Sequence, residues 1–177
     1  SDVCASDLGA KGMLGQDLCP VLEDEDFDVI ETDIDNLDIT NPENIKEVFE
    51  TEKPDFVIHC AAYTNVDKAE EDRETAFKIN SEGTVNLAGE CRKLDIPILY
   101  ISTDYVFDGA KKGKYLPSDI PNPINVYGSS KLAGEKAVQQ NEKYYIARTS
   151  WLYGHHGKNF AETMLSLKDK EELKVVD

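Results

Sequence analysis

The chain has 177 residues, with 35 acidic side chains against 19 basic and a formal net charge of −16 at pH 7. At 40% hydrophobic and 31% charged residues it fits one globular domain, or one plus a fragment of another, burying roughly 68–70% of its unfolded surface. Such an acidic chain repels phosphate backbones, which excludes general nucleic-acid binding, and no apolar run approaches the ~20 residues of a membrane span.

In chain order, Ser1 to Leu8 (SDVCASDL) offers only a feeble first strand and reads as a cloning or sequencing scar. Gly9-Ala10-Lys11-Gly12-Met13-Leu14-Gly15 is a G-x-x-G-x-x-G turn entering a helix, where glycines permit close backbone approach and free N–H groups can hold a pyrophosphate. Asp28 to Asp33 predicts a strand ending on an acidic residue eighteen positions past Gly15. A carboxylate there suits a ribose 2′-OH better than a 2′-phosphate, favouring NAD over NADP. Asp38 is either a turn or cap residue or a contact to the adenine edge. Asn41 and Pro42 open a helix to Lys53, and Asp55 to Cys60 is an almost continuous apolar run, the mark of a buried parallel strand.

A long helix is expected from about Glu74 to Leu94, then a strand over Pro97–Ser102. The long loop between Thr103 and Asn125 is the kind that carries function. Val126 to Gln140 predicts a helix, Tyr144 to Arg148 a strand, Asn159 to Lys168 a helix, and Leu173 to Val176 the start of another strand. This alternation predicts a doubly wound, Rossmann-like parallel sheet with helices on both faces. Residues 9–177 then form the nucleotide-binding domain, and the stop at Val176-Asp177 marks the chain as a fragment.

Cys4, Cys19, Cys60 and Cys91 lack any C-x-x-C spacing and read as reduced thiols of a cytoplasmic protein. With His59, His155 and His156 they form no metal-ligand pattern, so no metal is expected. The sharpest constellation is Tyr127-Gly-Ser-Ser-Lys131 together with Ser102-Thr103-Asp104 at a strand end. Positions i and i+4 share a helix face, and an ammonium beside a phenol is expected to pull its pKa below about 10. Tyr127 could then exchange a proton near neutral pH, with Thr103 holding the substrate oxygen.

Gly9 to Gly15, Cys60-Ala-Ala-Tyr-Thr64, Asn80-Ser-Glu-Gly-Thr-Val-Asn86, Ser102-Thr103-Asp104 and Tyr127-x3-Lys131 together resemble the extended short-chain dehydrogenase/reductases. More narrowly, Ala61 to Glu70, Ser102 to Gly109, Asn125-Val-Tyr-Gly128, Lys131 to Lys136 and Arg148 to Gly154 resemble the dTDP-4-dehydrorhamnose reductase family. The resemblance runs from Gly9 onward and implies reduction of the 4-keto group of dTDP-4-dehydro-L-rhamnose by NADH or NADPH. It implies Tyr127 as proton donor, Lys131 as its tuner and ribose ligand, and Thr103 as a hydrogen-bond partner of the substrate. Gly12, Met13 and Leu14 would line the pyrophosphate, Asp33, Asp38 and Ile39 the adenosine half, and Ala62, Tyr63 and Thr64 the cofactor after the third strand. Asp104 and Trp151 would touch the sugar nucleotide, unless Trp151 is simply a core aromatic. Asn80 is expected to bridge helix and strand backbone.

The resemblance also implies a C-terminal third beyond this chain, with much of the sugar-nucleotide pocket, and leaves a homodimer of the full-length protein open. Two other readings stay open. One is a non-catalytic, NADP-binding regulatory subunit like the methionine adenosyltransferase beta subunit, which tends to carry serine where Thr103 stands. The other is a nucleotide-sugar epimerase or dehydratase.

Overall fold

The computed structural model describes residues 3–157 and 159–168. Five parallel strands, β1 (Cys4–Leu8), β2 (Asp28–Thr32), β3 (Phe56–His59), β4 (Ile98–Thr103) and β5 (Tyr144–Thr149), lie in the order β2-β1-β3-β4-β5. Seven helices connect or follow them: α1 (Met13–Asp24), α2 (Pro42–Glu52), α3 (Val66–Glu71), α4 (Arg73–Phe77), α5 (Thr84–Lys93), α6 (Val126–Val138) and α7 (Phe160–Ser166). This is the doubly wound sheet that the alternation predicts. The expected strand over Leu173–Val176 lies outside the described residues.

Local chemistry sets the boundaries. Asn41 caps α2 by accepting from the Glu43 and Asn44 amides at 3.2 and 3.4 Å, Pro42 takes the first turn, and Lys53 closes the helix at φ 49°. Asn125 caps α6 by accepting from the Gly128 amide at 2.7 Å. The main core lies between the sheet and α2, α5 and α6, with Leu8, Phe49, Val57, Leu87, Ile98, Tyr100 and Val138 at most 2% exposed.

Three expectations need correction. The octapeptide judged too feeble for a strand supplies β1, the strand between β2 and β3, paired on both sides. Its neighbours' ladders provide the order that its own composition lacks. The single helix expected over Glu74–Leu94 is α4 and α5 joined by a wide π turn, Lys78–Gly83, and α3 precedes it where no helix was foreseen. The turn widens where the Asn80 carbonyl is shared: it accepts from Thr84 Oγ1 at 2.9 Å and, from outside the helix, from the Tyr100 hydroxyl at 3.3 Å. Its side chain, as expected of a bridge, clasps the Tyr63 backbone (N to Oδ1 2.8 Å, Nδ2 to O 3.0 Å) and donates to Ser130 at 3.0 Å.

Strand alternation points Leu8 to the main core and Asp7 to the opposite face, toward α1. Asp7 is fully buried; Oδ2 accepts from the Cys19 thiol at 3.3 Å and Oδ1 has no partner among the described residues. Burial raises its pKa against the opposing hydrogen bonds of Cys60 and Cys19, with smaller upward pushes from Glu31 and Asp33. The folded state therefore binds this proton more tightly than the unfolded chain does. The resulting penalty is absent below the unfolded pKa near 3.9 and grows as pH rises toward the folded value. Asp7→Val should raise stability at pH 8 by about 1–3 kcal/mol and by less at pH 5, read from urea unfolding midpoints. Equal midpoints for the two proteins at both values would refute the cost of this carboxyl.

Candidate active site

Because β2 and β3 flank β1 on opposite sides, the connections leaving β1 and β3 run in opposite directions, and a crevice opens at the carboxyl ends of the strands. A cleft of about 820 Å³ occupies that place. Gly9 follows β1 there at φ 93°, its amide bonded to the Thr32 carbonyl at 2.8 Å, and a Cβ would lie 2.8 Å from the Ala61 amide nitrogen. At Gly15 a Cβ would come within 2.5 Å of Ala10 Cα, so only glycine lets α1 pack this close to its own entry turn. Gly12 sits at the N-cap with no side-chain hydrogen bond, leaving the first amides of α1 open toward the cleft.

At the β2 end, Asp33 braces the turn: Oδ1 accepts from the Ile34 amide at 2.8 Å and Oδ2 from the Lys11 amide at 3.1 Å. The Lys11 ammonium pairs with Asp35 beside it. Asp38 spends Oδ1 on the amide and hydroxyl of Thr40, at 2.9 and 2.8 Å, which makes it a turn-forming residue that also lines the cleft.

At the β4 end the Thr103 hydroxyl accepts from the Tyr105 amide at 3.2 Å and starts a short 3₁₀ turn, Asp104–Val106. Tyr127 opens the first turn of α6 with its ring edge-on to Tyr105, centroids 5.7 Å apart. One turn on, Lys131 is buried; Nζ donates to the Ile101 carbonyl at 2.7 Å and lies 4.1 Å above the centre of the Tyr100 ring. Burial pulls its pKa down to about 7. Beneath it His59 is fully buried, bonded to Thr84 at 3.0 Å, and pushed down to about 3 by burial and by the Lys131 charge.

The expected pull of Lys131 on Tyr127 is not found. Burial raises the Tyr127 pKa, against the hydroxyl of Thr103, while Asp104 and Tyr105 push it further up. The ammonium is spent on a carbonyl and a ring face, so it does not lower the phenol as the spacing suggested.

The cleft gathers Gly9, Gly12, Met13, Leu14, Gly15, Asp33, Asp38, Ile39, Ala62, Thr64, Thr103, Asp104, Tyr127, Lys131 and Trp151. Tyr63 is not among its walls: Asn80 holds its backbone, and its side chain packs with Ala69, Ala76, Val126 and Tyr127. Trp151 is no core aromatic, standing 70% exposed at φ 54° with its ring edge-on to Phe160. Lys11, Tyr105 and Ser150 also line the cleft although sequence reasoning passed over them; Ser150 donates to Asp104 at 2.7 Å. Nothing in the spacing signals Ser150, because β5 must first pair with β4. Among the described residues no three His, Cys, Asp or Glu side chains are grouped to hold a metal, and no helix is long and apolar enough to cross a membrane.

Residues 7–177 match the family profile described as the RmlD substrate binding domain. A dTDP-4-dehydrorhamnose reductase of Aggregatibacter actinomycetemcomitans is 43% identical over 95% of this chain and 58% of its own length. A dTDP-4-keto-6-deoxy-D-glucose reductase of Streptomyces niveus is 40% identical over 96% of the chain and 60% of its own. Among solved structures, a dTDP-4-dehydrorhamnose reductase of Bacillus anthracis in complex with NADP superposes with a TM-score of 0.93 at 43% identity, covering 97% of this chain and 62% of that one. A UDP-glucose 4-epimerase of Thermus thermophilus shares the fold alone, at TM-score 0.83 and 20% identity. The chain thus spans about three fifths of the length of the curated relatives it matches. With nearly its whole length matched and reductases of this kind as its relatives, the chain belongs to the RmlD substrate binding domain family.

Proposed function

We propose that this chain is the cofactor-binding part of an NAD(P)H-dependent reductase of dTDP-4-keto-6-deoxysugars, converting dTDP-4-dehydro-L-rhamnose to dTDP-L-rhamnose. The observation that carries the reading is the placement of Thr103, Tyr127 and Lys131 in one cleft with the uncapped, glycine-bounded start of α1. Two of the proteins cited above are named dTDP-4-dehydrorhamnose reductase, and one of them is solved with NADP.

The cofactor fits the residues present. The open amides of Met13 and Leu14 suit a pyrophosphate, and the backbone room at Gly9 and Gly15 lets it approach. Asp33 and Ile39 take the adenosine half, and Ala62 and Thr64 line the wall after β3. A reduced nicotinamide, when bound, supplies the hydride for the C4 carbonyl carbon. Tyr127 gives the proton to the carbonyl oxygen, which Thr103 holds by hydrogen bonding. A phenol whose pKa is raised by burial keeps its proton at neutral pH, the state a donor needs. Lys131, one helical turn on from Tyr127, lines the same cleft, where it would meet the nicotinamide ribose. Asp104 and Trp151, which line the cleft, would meet the sugar nucleotide.

NADH and NADPH are both taken as cofactors, with Asp33 biasing the choice toward NADH. Its carboxylate would stand against a 2′-phosphate, although two backbone amides already share its charge. Asp33→Ser in the full-length protein should improve NADPH affinity relative to NADH, read by fluorescence titration of the reduced nicotinamide. An unchanged affinity ratio would remove Asp33 from the ribose site.

Tyr127→Phe keeps the ring and removes the proton. Cofactor affinity should survive while turnover of dTDP-4-dehydro-L-rhamnose falls by about 10²–10⁴-fold. Turnover close to that of the unaltered protein would sink the assignment of Tyr127 as proton donor.

A further inference from the structure

Tyr127, Lys131 and Glu135 occupy positions i, i+4 and i+8 of α6, so all three lie on one face, about 6 Å apart along the axis. The first two line the cleft. Glu135 lies one turn deeper, 1% exposed, and both of its oxygens are engaged. Oε1 accepts from the Ser102 hydroxyl at 2.6 Å and from Arg148 Nε at 2.8 Å, and Oε2 accepts from Arg148 Nη2 at 2.7 Å.

Arg148 on β5 stands directly opposite Ser102 on β4, and its guanidinium also covers the Phe107 ring at 5.0 Å, at the root of the long loop. One two-pronged ion pair therefore ties α6 to β4, β5 and that loop. The attachment has a register. The Ile101 carbonyl accepts from Lys131, the Ser102 hydroxyl donates to Glu135, and Thr103 faces Tyr127. Three consecutive strand residues thus meet three turns of the helix, and of the three helix residues only Glu135 is also held by an ion pair, to Arg148 on β5.

We propose that Glu135 and Arg148 are a positioning pair that holds α6 in the register at which Tyr127 meets Thr103 and Lys131 meets the Ile101 carbonyl. The inference rests on the reductase reading of the site. It also carries an electrostatic consequence. The titratable groups facing Lys131 are His59 on β3 and Cys60 just after it, Tyr100 on β4, and Tyr127 and Glu135 on α6, with Arg148 reaching Glu135 from β5. Burial keeps His59, Cys60, Tyr100 and Tyr127 uncharged at neutral pH. The balance between Glu135 and Arg148 is then the ionic charge nearest Lys131, while Tyr127 answers to Asp104 beside it. Removing the carboxylate makes Lys131 release its proton at lower pH; removing the guanidinium makes it hold the proton to higher pH.

The test uses the full-length protein and the variants Glu135→Gln, Arg148→Met and the double variant, in which no buried charge is left alone. Reduction of dTDP-4-dehydro-L-rhamnose should fall by about 10–100-fold in kcat, with KM within about threefold, in each variant that folds. Folding is checked by thermal melts. The alkaline limb of the pH–rate profile should move to lower pH in Glu135→Gln and to higher pH in Arg148→Met. If Arg148→Met does not fold, Glu135→Gln and the double variant decide by the kcat loss and by the first of these shifts.

A purely structural role predicts parallel losses of stability and turnover with no opposed shifts, and that result overturns the proposal, as does unaltered kcat in a folded variant. The same proteins are titrated with NADH across pH, where the shifts should recur as the Lys131 charge is lost. If the unaltered protein reduces no keto sugar, the reductase reading falls, and the NADH titration still decides whether the pair governs Lys131.

Discussion

An ammonium buried in the middle of an α/β sheet constrains everything around it. Lys131 has one carbonyl, one ring face and almost no solvent, so its position is set by whatever fixes Ile101 and Tyr100 on β4 and the rotation of α6. Tyr100 is itself held by the Asn80 carbonyl, which is offered by the π turn, and the same Asn80 side chain grips Tyr63 after β3 and Ser130 on α6. The irregular turn is thus the joint through which α5, α6 and the wall after β3 share one position. Burial on this scale takes Lys131 toward neutrality, and the groups beneath it, His59 above all, are kept neutral by the same absence of water.

The other half of the cleft rests on backbone rather than side chains. The turn after β1 is pinned to β2 by amides of Gly9 and Ala10 on the Thr32 carbonyl, at 2.8 and 3.1 Å, and α1 starts without a capping side chain. Open amides and a positive helix end form an anion site that needs no basic residue, which reconciles a net charge of −16 with a phosphate-bearing ligand. The arrangement sits on a central strand with a buried carboxyl, Asp7, in a position where an apolar side chain would pack without penalty. β1 owes its place to hydrogen bonds from both neighbours and to Leu8 in the main core, more than to its own composition.

What was legible in the sequence was local and periodic. The apolar runs of β3 and β4 announced buried parallel strands, Asn41-Pro42 announced the start of α2, and the Tyr127-x3-Lys131 spacing placed both side chains on one face of α6. The glycine turn could be read because its requirement is steric and lies within seven residues. The π turn could not, since it follows from Tyr100 and Thr84 meeting one carbonyl, and nothing in residues 78–83 alone demands it. The resemblance implies Tyr63 in the cleft beside Ala62 and Thr64, but alternation along an extended segment turns it toward α3, α4 and α6.

By itself the sequence determined most of the strand–helix alternation, β1 and α3 apart, and the parallel sheet. Those follow from hydrophobic period, caps and glycines, which act over a few residues, while most of the residues expected at the carboxyl ends of the strands came from the resemblance. Only the tertiary structure decided the charge states and the supports. The spacing of Tyr127 and Lys131 suggested a phenol drawn down by an ammonium, whereas the packing gives a phenol raised by burial and an ammonium spent on β4. The pairing of Glu135 with Arg148 needed β5 to lie in register with β4, a contact between chain segments 13 residues apart that no helical or strand period encodes. Desolvation and strand register belong to the assembled sheet, which is why they could not be read one residue at a time.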